Sequence, residues 1–277
     1  MNYIEVNFKI EPRIPGTEIL IAQLSLIGYE SFLENEEGVQ AYIQESFFKL
    51  VDIQEMDILS METFKVSFVH NLIKDKNWNK VWESNYDPVL IKDKVYIRAP
   101  FHNEMENVAF SILINPKMSF GTAHHETTSN MIELMLDEDM KGASVLDMGC
   151  GTGVLAILAE MMGAKSVLAI DNDEWAYNNS LENIRNNRCR NISVLLGDAA
   201  LLGDESFDFV IANINRNVLT ENIPVYSNHL KKGGSMLLSG FYESDLEQIK
   251  AVTHKAGLTM ESKNEQNNWL AVKFKKQ

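Results

Sequence analysis

Two cysteines in 277 residues, Cys150 and Cys189, are too few for a disulfide framework or a thiol metal site. Cys150 sits inside a glycine-rich turn that a disulfide would distort, which suits a reducing compartment. Positive charge is also scarce: Lys and Arg number 25 against 39 Asp and Glu, a net charge of −14. A protein whose main partner is nucleic acid needs the opposite balance, so direct nucleic-acid binding is not expected. No stretch approaches the roughly 18 unbroken apolar residues of a membrane span. The first ten residues alternate in polarity, with no basic segment ahead of an apolar block, so no export signal is expected and the expected location is cytoplasmic. Low-complexity tracts are missing too, and the length allows two domains with packed cores.

What charge there is lies unevenly. Residues 1–76 carry 13 Asp and Glu against 6 Lys and Arg, about half of the acidic excess in little more than a quarter of the chain. Two readings stand: solubility, or a surface that attracts a basic protein.

The same region has the periodicity of a small α+β domain. Ile4, Val6, Phe8 and Ile10 share one face of a strand over Tyr3–Ile10. Thr17 is expected to cap a helix from Glu18 to about Ile27, with Gly28 as its stop. Strands over Glu30–Glu34 and Val39–Ile43 flank Glu36-Glu37-Gly38, a second helix is expected over Phe47–Asp57, and Thr63–Val69 alternates again. The order β-α-β-β-α-β is ferredoxin-like. Residues 1–70 are therefore expected to form one domain, and 71–87 a helical linker with Trp78 and Trp82 on one face. Residues 88–277 form the second domain, entered through a β-rich passage.

From Lys141 onward strands and helices alternate, which predicts an α/β domain with a doubly wound parallel sheet. Strands fit near Ser144–Met148, Ser166–Asp171, Ile192–Leu196, Phe207–Ala212 and Ser235–Ser239. Helices fit at Val154–Met162, Glu174–Asn187, Val218–His229 and Ser244–Lys255. In such a sheet the first and fourth strands lie side by side, and a ligand crevice opens at their carboxyl ends. The loop Gly149–Gly153 after the first strand should then face Asn213–Asn215 after the fourth.

The first of these loops is Asp147-x-Gly149-x-Gly151-x-Gly153, not the Gly-x-Gly-x-x-Gly of dinucleotide binders. Glycine lets the strand turn sharply into its helix and lets a ligand touch the main chain. A glycine-rich structural turn or a variant nicotinamide loop are the competing readings. Asp171 ends the second strand, where a carboxylate can accept from both hydroxyls of a ribose or can cap the next helix. Asp198 stands where it can accept from an adenine amino group or serve an ordinary turn, and Asp147 braces the glycine loop or meets a ligand's ammonium end. Asn213 and the main-chain carbonyl of Ile214 can grip the N–H groups of an amine and aim its lone pair. Nitrogen methyltransferases acting on planar amines often carry Asn-Pro-Pro with an aromatic there. Ile214-Asn215-Arg216 lacks that stacking platform and suits a flexible aliphatic amine. His124, His125 and Glu126 are adjacent, but no further ligands lie at useful spacing, so no metal is expected.

The glycine loop with Asp171 resembles the first two motifs of class I S-adenosylmethionine-dependent methyltransferases. Phe120-Gly121-Thr122, His125 and Thr127-Thr128 further resemble the Phe-Gly-Thr-Gly-x-His-x-Thr-Thr signature of the PrmA family, which methylates large-subunit ribosomal protein L11. Asn77-Trp78 with Trp82, Val210-Ile211-Ala212-Asn213-Ile214 with Leu219, and Trp269 resemble other family segments. Ala123, Glu126 and Asn215 depart from its pattern, where glycine, proline and leucine are usual.

The resemblance implies a Rossmann-like methyltransferase sheet and a ferredoxin-like domain that holds L11. It implies S-adenosylmethionine as cofactor, with contacts from Thr128, Gly149, Asp171 and Asn213. Phe120 and Thr122 fall in the signature loop, which can close over the cofactor, and Gly151, Gly153 and Asp198 complete the expected cofactor set. The expected activity is methylation of lysine amines on L11. The alternatives are a different protein or small-molecule amine as substrate, and a non-catalytic S-adenosylmethionine-binding regulator.

Overall fold

The alternation that opens the chain becomes β1 (Tyr3–Glu11), whose residues Ile4, Val6, Phe8 and Ile10 are all buried. The computed structural model describes residues 2–73, 86–116, 121 and 123–277. They fall into two compact units, Met1–Asn85 and Tyr86–Gln277.

In the first unit, α1 (Arg13–Leu26) leads to β2 (Ser31–Glu34) and β3 (Gly38–Gln44). A 3-10 turn at Glu45–Phe47, α2 (Leu50–Gln54) and α3 (Asp57–Ser60) follow, then β4 (Lys65–Ile73). The sheet order is β2-β3-β1-β4, the ferredoxin-like arrangement, and β1 pairs antiparallel with both β3 and β4. Phe8 lies opposite Phe68 with ring centroids 5.5 Å apart, and Leu20 and Leu24 of α1 close the core.

Local details differ from the sequence reading. α1 begins at Arg13, although Ile14 and Pro15 leave helical angles, and Thr17 does not cap it: its hydroxyl donates to the Arg13 carbonyl from a buried position. The single helix expected over Phe47–Asp57 is broken because Met56 takes extended angles, which lets Ile53, Met56 and Ile58 all reach the core. β4 runs to Ile73, so Asn71–Ile73 is strand where the helical linker was expected to begin. Residues 74–85 of that linker, with Trp78 and Trp82, lie outside the described residues.

The second unit starts with a three-stranded sheet, β5 (Val89–Ile91), β6 (Val95–Arg98) and β7 (Phe110–Leu113). Next comes α4 (Glu126–Leu136), then the alternating series. It consists of β8 (Ser144–Met148), α5 (Val154–Met161), β9 (Ser166–Asp171), α6 (Glu174–Asn186) and β10 (Ile192–Leu196). β11 (Phe207–Asn213), α7 (Arg216–Asn228), β12 (Leu230–Tyr242) and α8 (Leu246–Lys255) complete it. A hairpin, β13 (Leu258–Gln266) and β14 (Trp269–Lys276), ends the chain.

The seven strands lie in the order β10-β9-β8-β11-β12-β14-β13. β8 through β12 are parallel, and β14 runs antiparallel to β12. Both faces are covered, as a parallel sheet requires: Val145 and Ile211 belong to one apolar cluster, Leu146 and Val210 to another. The expected doubly wound α/β fold is therefore present, with β8 and β11 adjacent. The hairpin went unread in the sequence, although Asn267 and Asn268 both take left-handed angles between two antiparallel strands. Asn tolerates that region better than most residues, which makes Asn-Asn a hairpin signal.

Candidate active site

Gly149, Gly151 and Gly153 have φ of +71°, +57° and +79°, all in the left-handed region that a Cβ disfavours. The Gly149 and Cys150 amides donate to the Ile170 carbonyl at 2.8 and 3.2 Å, which pins the loop against β9. A Cβ on Gly149 would come within 2.2 Å of Ile214 Cγ2. The loops after β8 and β11 therefore touch, as adjacency of those strands demands.

Between them opens a cavity of about 770 Å³. Gly149, Gly151, Asp171, Thr128, Asn213 and Ile214 line it, so these expected residues come together. Gly153 does not line it; it stands at the N-terminus of α5, where a Cβ would meet Ser180 at 3.2 Å. Asp198 is not among the lining residues either, and its carboxylate accepts from the Ala200 amide at 2.8 Å. Phe120 and Thr122 lie outside the described residues, while Gly121 reaches the cavity.

One end of the cavity is acidic. Asp171 is buried, accepting from the Gly151 amide at 2.8 Å and from the Asp173 amide at 3.0 Å. A carboxylate has about four lone-pair sites, so it keeps acceptor capacity for ribose hydroxyls. Behind it Asp147 is only 1% exposed, and its Oδ2 has no hydrogen-bond partner among the described residues. Burial, then the charge of Asp171, push Asp147 up to about 7, against the opposing pull of the Ala156 amide. Burial, then the charges of Asp147 and Asp171, hold the Cys150 thiol well above its ordinary value, which favours the protonated thiol.

The other end is formed by Asn213, Ile214 and Thr128. Asn213 Nδ2 donates to the Thr128 hydroxyl at 3.3 Å, which leaves Asn213 Oδ1 as the acceptor of that amide. The Ile214 amide is spent on the Ser239 carbonyl at 3.2 Å, and a Cβ on Gly240 would sit 2.2 Å from the Ile214 oxygen. Only a glycine at 240, with φ +94°, leaves room for the Ile214 backbone to pack there. Sequence reasoning missed Gly240, because its constraint comes from a residue 26 positions away.

An aromatic wall stands beside them. Trp269 meets His125 edge-on at 4.8 Å and Tyr242 at 3.9 Å between centroids. Asn130 of α4 donates to the Trp269 carbonyl at 3.0 Å and holds it there. His125 caps α4: its Nδ1 accepts from the Thr127 amide, so this nitrogen is spent on structure. The departure at Glu126 has a structural counterpart in Asn267, which donates to it at 2.7 Å and holds the carboxyl below its usual range. No three His, Cys, Asp or Glu side chains converge as a metal site among the described residues.

The residues present fit an S-adenosylmethionine cofactor. Left-handed glycines open the main chain along the cavity, and the Asp171 carboxylate on its lining keeps acceptor capacity for ribose hydroxyls. The volume lies in the range of small-molecule sites, about 300–1,000 Å³.

Comparison with known proteins agrees. The family model described as "Ribosomal protein L11 methyltransferase (PrmA)" matches residues 19–277. A curated protein of that name from Phocaeicola vulgatus is 45% identical over 278 residues, covering 99% of each chain. One from Bacteroides fragilis is 44% identical with the same coverage, and one from Chlorobaculum tepidum is 35% identical, covering 98% of this chain and 96% of its own. The crystal structure of a ribosomal protein L11 methylase from Lactobacillus delbrueckii subsp. bulgaricus superposes with a TM-score of 0.65 at 26% identity. That superposition covers 69% of this chain and all of the other.

Proposed function

Because the chain belongs to the ribosomal protein L11 methyltransferase (PrmA) family, we propose that it methylates lysine amines of L11. It is an S-adenosylmethionine-dependent enzyme, and that cofactor supplies a methyl group on a positively charged sulfur. What supports the amine reading is that Asn213 and Ile214 both line the cavity, with the Asn213 Nδ2 turned to Thr128, so that Asn213 Oδ1 and the Ile214 carbonyl are the acceptors assigned to the amine. Two acceptors can hold the two N–H groups of a neutral amine and leave its lone pair aimed along the cavity. A free lysine has a pKa of about 10.4, so the site must favour the neutral form. Burial and a neighbouring sulfonium charge both do so. Among the described residues no side chain stands out as the base; His125 has its Nδ1 committed to capping α4, and water can carry the proton away.

Asp171 is assigned to the ribose and Gly149 and Gly151 to main-chain contact with the cofactor, with Thr128 setting the Asn213 amide. We assign recognition of L11 to the first domain, residues 1–70. The sheet face opposite its helices carries Glu5 and Glu30, held by Asn7, Tyr42, Tyr3 and Gln44, an acidic surface suited to a basic protein. No described helix is long and apolar enough to cross a membrane, and we place the enzyme in the cytoplasm beside its substrate.

Purified L11 incubated with the enzyme and S-adenosylmethionine should gain mass in steps of one methyl group, mapped to lysine-bearing peptides by mass spectrometry. Modification only of small amines, with L11 untouched, would favour the small-molecule alternative.

A further inference from the structure

Trp175 is 78% exposed, the most exposed of the large aromatic side chains that the described residues present, yet it lines the cavity. It makes no hydrogen bond or ring contact among the described residues. An indole left in water forgoes the gain of burying a large, flat apolar surface, so it suits a partner with a flat face of its own. Its backbone is fixed rather than loose. The Asp173 amide donates to Asp171 at 3.0 Å, and the Asp173 side chain caps α6 by accepting from the Ala176 amide at 2.9 Å. Trp175 lies between those anchors, in the first turn of α6. The same hydrogen bonds that set the Asp171 carboxylate therefore set the backbone that carries the indole beside it. Asp198, the residue expected at an adenine, is outside the lining, and among the described lining residues next to Asp171 the one aromatic side chain is Trp175.

We propose that Trp175 is the aromatic cover for the cofactor's purine, stacking on its open face once the ribose is held by Asp171. This rests on the reading that the Asp171 end of the cavity takes the ribose. A purine offers a π face whatever its edge groups, which is what a single rim-mounted indole can recognise.

The test is calorimetric titration of the full-length protein with S-adenosylhomocysteine and separately with adenosine. Trp175→Ala should weaken both by roughly 5-fold to 150-fold, the span of about 1–3 kcal/mol for one base–aromatic stack. Trp175→Phe should restore most of the loss, and all variants should melt with the wild type because the side chain is exposed. Ligand should also shift and quench indole emission in the wild type by more than in Trp175→Phe. Unchanged affinity for both ligands in Trp175→Ala, beside weakened affinity in Asp171→Ala, would overturn the Trp175 assignment alone. Unchanged affinity in both variants would overturn the ribose reading and the purine cover with it. Normal cofactor affinity with a raised KM for L11 would make the indole a protein contact and also overturn the proposal.

Discussion

The two ends of the cavity are built in different ways. The Asp171 end is made by one continuous stretch of chain, β8 through the start of α6, and its shape comes from backbone angles and a single acid. The Asn213 end is assembled from β11, β12, β14 and α4, and its residues are set by packing between segments up to 139 positions apart. A site that must recognise an invariant small molecule can be written locally. Bracing from several directions is what the role proposed for the Asn213 end requires, because about 1 Å of misalignment can cost on the order of a hundredfold in rate.

The comparison predicts that damage to the first end falls on binding and damage to the second on turnover. The largest loss should follow Gly151→Val, where a β-branched residue is forced to φ +57° at the cavity wall. Cofactor affinity should fall by more than a hundredfold, and normal calorimetric binding would break the assignment of the loop. Asp171→Ala should cost roughly 1–3 kcal/mol of binding by stranding ribose hydroxyls, which the same titration reads.

A smaller effect concerns pH and the acid behind the loop. Asp147 sits at about 7 in the folded protein, against about 3.9 for a free aspartate. The folded state thus holds this proton more tightly than the unfolded one. Its contribution is fully present below about pH 4 and is lost as pH rises through about 7. Asp147→Asn keeps the neutral shape, so it should raise the melting temperature of the cofactor-free protein more at pH 8 than at pH 5, by a few degrees. An equal shift at both pH values would mean that Asp147 is not the titrating group.

How much of this was legible in the sequence follows the same division. The glycine spacing, Asp171 and Asn213-Ile214 announce themselves because backbone conformation and strand-end position are local properties. The ferredoxin-like order was legible from alternation alone, even where Met56 breaks the expected helix. Gly240 was not, since nothing near Ser239-Gly240-Phe241 says that Ile214 O will lie 2.2 Å from its missing Cβ. The clamp of Thr152 on the Gly121 carbonyl at 2.6 Å, with Asn183 donating to the Thr152 carbonyl at 3.0 Å, was equally hidden. The β13–β14 hairpin carried a readable turn at Asn267-Asn268, but what it delivers, Trp269 beside His125, depends on where β14 joins the sheet.

On this reading Asn213 aims the acceptor amine while the other end of the cavity holds the cofactor. That division of roles is tested most directly by single-turnover methylation of L11 with Asn213→Ala, run beside a thermal melt and a cofactor titration. The expected result is a loss on the order of a hundredfold in the rate of the chemical step, with a near-normal melt and largely retained cofactor affinity. Near-wild-type turnover in a well-folded Asn213→Ala protein would contradict it.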